Sequence, residues 1–391
     1  MYYNKNYDVC QQRLTFFVNL IVIKNCYNKN MKYLDITLDA KSHQPTMKMM
    51  VKNMPKGMVI NRGLIKDNLE KRRPNYQFNT NRVELDQYEF ISGVTDNITN
   101  GEELIISVTN TNINSNHYEY GMIRPGHADY VGYEFLENFD YNGGGQFSGR
   151  ITVLYIILAS IIQPYLPEEV LVKLSQIGNV IDTPICEIND EELKTIDNEL
   201  YFYDQQSLNK ARALIDQYYH QGDSIGALAE VRITNPTGGL GGIDFNNFEG
   251  NLAQALFAIG GIKGINFGIA YNFITTPGSV SCDELSVNQG KVNSKHHYQG
   301  GVNGGITNGY EPINFNCIIK APCSVFKPIN TIKKTNHGYE NTTLTLKGRH
   351  DSLIANRVLM VIKAMTYIIL FDEHLAIWQR QYFSKNTNNI V

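Results

Sequence analysis

The residues best suited to chemistry in this chain crowd into one stretch, Arg124 to Thr152, which reads RPGHADYVGYEFLENFDYNGGGQFSGRIT. It holds two arginines, Arg124 and Arg150, with His127, Asp129 and the consecutive glycines Gly143, Gly144 and Gly145. Imidazole titrates near neutrality, so His127 suits the donation or removal of a proton. A guanidinium fork grips phosphate or carboxylate through two parallel hydrogen bonds, which is the use open to Arg150. The triple glycine, then Ser148, runs into ITVLYIILASII, a pattern that predicts a loop feeding a helix. Such a helix start presents backbone N–H groups and the positive end of a dipole to an anion. A Gly-rich turn joining two ordinary elements is the competing reading of the glycines alone.

The elements that must position this stretch are legible around it. Residues 31–57 alternate like a strand, turn at Lys41 to Pro45, and resume as a second strand. GLIKDNLEKRR predicts an amphipathic helix that stops before Pro74, because the residue preceding proline disfavours helix. Phe90 to Asn110 reads as a turn and a strand. Ile151 to Leu166 is apolar but shorter than a bilayer crossing, and predicts a buried helix. Residues 168–220 read as mixed helical and acidic, with LNKARALIDQYYHQGDSIG the clearest helix. ALAEVRITN predicts a strand, and a glycine-rich loop at 235–247 precedes another helix without dinucleotide spacing. Residues 1–30, rich in Asn and Tyr around TFFVNLIVI, read as a non-catalytic N-terminal extension or a surface strand.

Composition sets outer limits. Hydrophobic residues make up 42% of the 391 and charged residues 19%, a globular balance able to bury a large core. The net charge of −3 provides no field for nucleic acid, so an anion site must be a local basic cluster. The six cysteines are scattered without a C-x-x-C, which points to a reducing compartment and away from a structural zinc site or a disulfide scaffold. The sequence therefore predicts a cytoplasmic chain with no metal centre, no nucleic-acid partner and no membrane span. Neither an internal repeat nor a linker is apparent, so residues 31–391 are read as a single domain.

RPGHADY followed by GGG-x-x-S-x-R resembles the central signature of the chorismate synthase family, RPGHADYT and then GGGRSSARET. Three other segments agree. Ala40, Lys41, Ser42, His43 and Gln44 align with the family's G-E-S-H-G. LEKRRP and NRVELD are similar to its R-R-R-P-G and R-x-E-x-D. Gly348, Arg349, His350 and Asp351, followed by Arg357, match its GRHD block, and the similarity extends from Met31 to about Arg380. The chain differs at Ala40, Lys41 and Gln44, where the pattern has Gly, Glu and Gly. It differs again at Gln146, Phe147, Gly149 and Ile151, where the pattern has Arg, Ser, Ala and Glu. Lys363 replaces a usual Glu.

The resemblance implies an α+β fold, a β-α-β sandwich of the chorismate synthase type that assembles as a homotetramer. It implies a lyase that converts 5-enolpyruvylshikimate 3-phosphate to chorismate, losing phosphate and a C6 hydrogen. The reaction uses reduced FMN (FMNH2) without net redox change. It implies catalytic roles for His43, His127 and Asp351, and substrate-binding roles for Arg72, Arg150 and Arg349. By the same register Ser148, Gly260, Gly261, Gly304, Lys320, Ser324 and Arg349 meet the flavin. Lys327 is an alternative to Lys320. No nicotinamide module is evident, so NADPH would serve only through an external flavin reductant. A flavin- or anion-binding relative with little activity is the other reading of the altered segments.

Overall fold

The computed structural model describes residues 27–30, 32–73, 86–110, 119–346 and 351–387. Its first sheet follows from strict alternation. In β2 (Asp35–Asp39) and β3 (Thr46–Lys52), every second side chain is apolar, and Ile36, Met47, Met49 and Val51 are buried. β1 (Tyr27–Asn30) lies antiparallel at the outer edge of β2, so the end of the N-terminal segment is an edge strand. The helix α1 (Arg62–Arg72) is capped by Asn61, whose side chain accepts from Leu64 N at 3.1 Å. It stops one residue short of the one preceding Pro74, as the proline predicts. β4 (Tyr88–Ser92) and β5 (Leu104–Thr109) complete an antiparallel sheet ordered β1-β2-β3-β5-β4.

The functional stretch lies between the sheets in chain order. α2 (Asp129–Phe135) follows the RPGH turn, and α3 (Val153–Ile162) is buried on nearly every side, which accounts for its uninterrupted apolar sequence. The second sheet contains β6 (Glu169–Ile177), β7 (Val180–Ile181), β8 (Ala227–Thr234), β9 (Ile262–Phe267) and β10 (Ile313–Ile319), ordered β9-β10-β8-β6-β7 and antiparallel throughout. Between these strands fall α4 (Gln205–His220) and α5 (Phe248–Phe257). The hairpin β11 (Ile329–Thr335) and β12 (Gly338–Leu344) precedes the long helix α6 (Ala355–Thr387).

β6 adds a strand to residues 168–220, which read in sequence as mixed helical and acidic. EVLVKLSQI places Val170, Leu174 and Ile177 in the main core, while Lys173 is fully buried and paired with Asp182 at 2.8 Å. The lysine broke the apolar pattern in the sequence, but its ion pair lets it sit inside.

α3 packs on α1, α6 and β5, whereas α6 packs on β6 and β8 of the other sheet, and one apolar cluster joins all of them. Near its middle α6 carries three buried polar residues that fasten this arrangement. Asp372 accepts the N–H groups of Lys32, Tyr33 and Leu34. Glu373 holds Lys32 Nζ, Asn251 and Gly241 N. His374 contacts both oxygens of Glu168, at 2.9 and 3.0 Å.

Candidate active site

The RPGHAD turn is a device for holding one imidazole. Asp129, at the first position of α2, is 2% exposed, and it accepts from Arg124 through Nε and NH2, both at 2.7 Å. The backbone N–H of Arg124 adds a third bond at 3.0 Å. His127 Nδ1 lies 2.7 Å from Asp129 Oδ1, which fixes the ring and turns Nε2 the other way. Burial alone would raise the Asp129 pKa. The hydrogen bonds from Arg124 and His127 outweigh that and hold it well below the usual carboxylate range.

Across from His127 stands the triple glycine. Gly143, Gly144 and Gly145 all have positive φ, of 60°, 92° and 50°, so the chain coils there in a form that side chains resist. A Cβ on Gly145 would lie 2.0 Å from Asp140 O. A Cβ on Gly144 would sit 3.4 Å from His127 Nε2, and one on Gly143 would sit 2.9 Å from His43 Nε2. Two adjacent glycines thus face two imidazoles that are far apart in sequence. The loop is clamped to the His43 turn by Ser42, whose N–H donates to Gly145 O at 3.1 Å and whose Oγ donates to Asn142 O at 2.8 Å. Asn110, at the end of β5, donates from its side chain to Ser42 O and Gln44 O, and from its backbone to Pro45 O at 2.9 Å. The His43 turn lacks the pattern's glycines because none of residues 40–44 adopts a positive φ.

The remaining predicted residues fall into three groups. Lys320 joins the histidine cluster: Nζ donates to Gly126 O at 2.5 Å and to Cys323 Sγ at 3.2 Å, and its backbone N–H donates to Gly261 O. Ser324 lies half-buried in the same turn. Gly260 approaches Phe147 O, and Gly261 packs near Ile354, three residues past Asp351. Asp351 faces Arg357 at 3.7 Å. Lys327, the alternative to Lys320, instead pairs with Asp223 at 2.7 Å.

Arg72 and Arg150 form a second group, buried and joined through Asp86. Arg150 reaches Asp86 Oδ1 at 2.6 Å and Arg72 reaches Oδ2 at 3.8 Å. Arg72 also donates to Gly149 O at 3.1 Å and to Thr152 Oγ1 at 3.2 Å, so it braces the turn that starts α3. Ser148 caps that turn through Arg150 N at 3.2 Å. Gly304 belongs to a third cluster with the 241–248 loop: Phe248 N donates to Gly305 O, and Gly241 bridges Ile306. Arg349 lies outside the described residues. Sequence reasoning assigned no role to Asp86, Asn110 or Asp140: Asp86 meets Arg150 64 residues away, Asn110 binds carbonyl oxygens of the His43 turn, and Asp140 ties Asn142 and Gln146 within its own loop.

The cluster thus brings together two imidazoles, a lysine and a glycine coil of positive φ, with two arginines and one aspartate behind it. Its charge suits an anion, and its imidazoles suit proton transfer at that anion's leaving group.

Comparison with known proteins agrees. Residues 34–375 match the family model described as chorismate synthase. A chorismate synthase of Dehalococcoides mccartyi is 32% identical over 348 residues, covering 87% of this chain and 94% of the relative. One from Thermococcus gammatolerans is 32% identical, covering 88% and 96%. A solved structure titled "Crystal Structure of Chorismate Synthase" superposes with a TM-score of 0.69 at 20% identity, covering 89% of this chain and 93% of that one.

Proposed function

The chain belongs to the chorismate synthase family, and we propose that it converts 5-enolpyruvylshikimate 3-phosphate to chorismate with the help of reduced FMN. One observation carries the reading: His43 and His127 face adjacent glycines of a single left-handed loop, so two proton-transfer groups serve one small site.

Residues suited to the flavin are present. Gly260, with only Phe147 O within 4 Å of an added Cβ, and Gly304, with nothing that near, are backbone surfaces a flat ring can approach closely. Lys320 and Ser324 supply a charge and a hydroxyl for its phosphate. Reduced FMN, when bound, supplies the electron density that lets the carbon–oxygen bond break without net oxidation.

The chain's own residues do the rest. Arg72, Arg150 and Arg349 provide fixed positive charge for the substrate's phosphate and two carboxylates, the first two with a net charge of +1 after Asp86 is counted. His127, oriented by Asp129, gives its Nε2 proton to the departing phosphate, which leaves as a less charged anion. His43, held through Ser42 and Asn110, keeps a second proton across the loop. Asp351, with Arg357 beside it, would pair with the flavin's N5 region and so assist removal of the C6 proton.

We further propose residues 31–391 as one catalytic unit, the two sheets and intervening helices as a β-α-β sandwich, a homotetrameric assembly, a cytoplasmic location and dependence on an external flavin reductant. Replacing His127 with alanine tests the mechanism. Turnover should fall roughly 10²–10⁴-fold, and a near wild-type rate would reduce His127 to a packing residue.

A further inference from the structure

We propose that Lys41 binds an anionic oxygen group, phosphate or carboxylate, beside His43, and so replaces the positive charge that the family pattern carries at position 146. The proposal rests on the functional reading above and names a residue that the family motif does not supply.

The observations start with a cavity of about 330 Å³ that has His43 in its wall. Lys41 and Gln146 line the same cavity, and both stand where this chain departs from the pattern. At position 41 an acid has become a base, and at position 146 a base has become neutral. Together the two positions are one positive charge richer than the pattern.

Gln146 cannot take over the missing guanidinium, because both ends of its amide are occupied. Its Nε2 donates to Asn138 O at 2.9 Å, and its Oε1 accepts from Asp140 N at 3.3 Å. Both acids in the wall keep their charge, but hydrogen bonds from neutral neighbours tie their Oδ1 atoms in place. Asp39 accepts from Gln44 Nε2 at 3.1 Å, and Asp140 accepts from the backbone and side chain of Asn142, each at 3.0 Å. Lys41 is half-buried and forms no ion pair among the described residues. The wall therefore keeps an uncommitted ammonium next to a candidate proton donor. Gln44 Oε1, buried without a partner among the described residues, offers the same occupant an acceptor for a hydroxyl. A hydroxylated anion matches both groups, and either the substrate or the flavin side chain fits that description.

The test is a charge exchange. Four variants are compared with the wild type: Lys41→Gln, Lys41→Glu, Gln146→Arg and the double variant Lys41→Glu/Gln146→Arg. The readouts are affinity for FMN, riboflavin and inorganic phosphate by fluorescence and calorimetry, and KM and kcat where turnover is present. Lys41→Gln should weaken one anion by about tenfold to a hundredfold, the worth of a charge-assisted hydrogen bond. Gln146→Arg should recover at least tenfold in the Lys41→Glu background and far less in the wild type.

Loss of FMN but not riboflavin affinity would place the flavin phosphate at Lys41. A raised substrate KM with unchanged flavin affinity would place the substrate there. Equal loss of FMN and riboflavin, no loss on Lys41→Gln, or the same effect of Gln146→Arg in both backgrounds would overturn the proposal. Binding of FMN and phosphate needs no turnover, so an inactive wild type would count against the function and leave the charge exchange readable. Lys41→Gln, which removes the charge without introducing an opposite one, covers the case in which Lys41→Glu does not fold.

Discussion

Replacing Gly143 with alanine should damage the site more than the same change at Gly144, although the two glycines are neighbours. At Gly143, with φ of 60°, an L-residue costs on the order of 1 kcal/mol in the left-handed region. Its Cβ would also stand 2.6 Å from Ser42 Oγ and 2.9 Å from His43 Nε2. Restoring ordinary contact near 3.4 Å requires the imidazole to recede by about 0.5 Å and the hydroxyl by about 0.8 Å. The second shift breaks the 2.8 Å bond from Ser42 to Asn142 O, a further loss of about 1 kcal/mol. Destabilisation of about 2–3 kcal/mol is expected. Turnover should fall about 10–100-fold, because an ångström of misplacement in a catalytic group costs up to about 10².

At Gly144 the nearest atoms, those of His127, lie at 3.4 Å, so only the backbone strain applies and turnover should fall much less. Denaturant unfolding and steady-state turnover on both variants measure the contrast. If Gly143→Ala lost stability but kept the turnover of Gly144→Ala, the loop would not be what sets His43.

Other outcomes follow from the same contacts. Asp129→Asn removes the carboxylate that orients His127 and should lower kcat with little change in KM. Because the Asp129 pKa is depressed in the folded chain, its contribution is present above the ordinary value of 3.8 and lost as pH falls below it, so the stability deficit of Asp129→Asn in urea melts should be full at pH 7 and shrink in acid. Lys363 shows the opposite sign. Burial, then repulsion from Lys71, pushes its pKa down to about 8, so keeping it charged at pH 7 costs up to about 3 kcal/mol. Lys363→Met should raise the melting temperature at pH 7, with the gain fading between pH 8 and 10.5. Asn110→Ala should cut kcat about tenfold and shift the His43 resonance in histidine-labelled spectra, leaving that of His127 in place.

Much of the site was legible because its chemistry is local. RPGHADY contains the histidine, the aspartate that orients it and the arginine that holds the aspartate, within six positions. The glycine coil was legible for the same reason, since three glycines in a row announce a backbone that side chains would obstruct. What stayed hidden depends on distant or backbone partners. Asp86 closes the NRVELD segment, but the sequence does not show that it joins Arg72 to Arg150 and places those arginines behind the loop. Asn110 holds the His43 turn through carbonyl oxygens, which have no sequence signature. β6 was obscured by Lys173, whose burial makes sense only with Asp182 beside it. The altered His43 turn reads in sequence as a loss of flexibility. In the fold no residue of that turn needed it.

The most direct measurement of the central claim is anaerobic incubation of the purified protein with 5-enolpyruvylshikimate 3-phosphate and dithionite-reduced FMN, following chorismate, orthophosphate and flavin together. The account predicts chorismate and orthophosphate in equal amounts, flavin still reduced at the end, and a much slower reaction with His127→Ala. An FMN-saturated protein that binds the cofactor and forms no chorismate would contradict it.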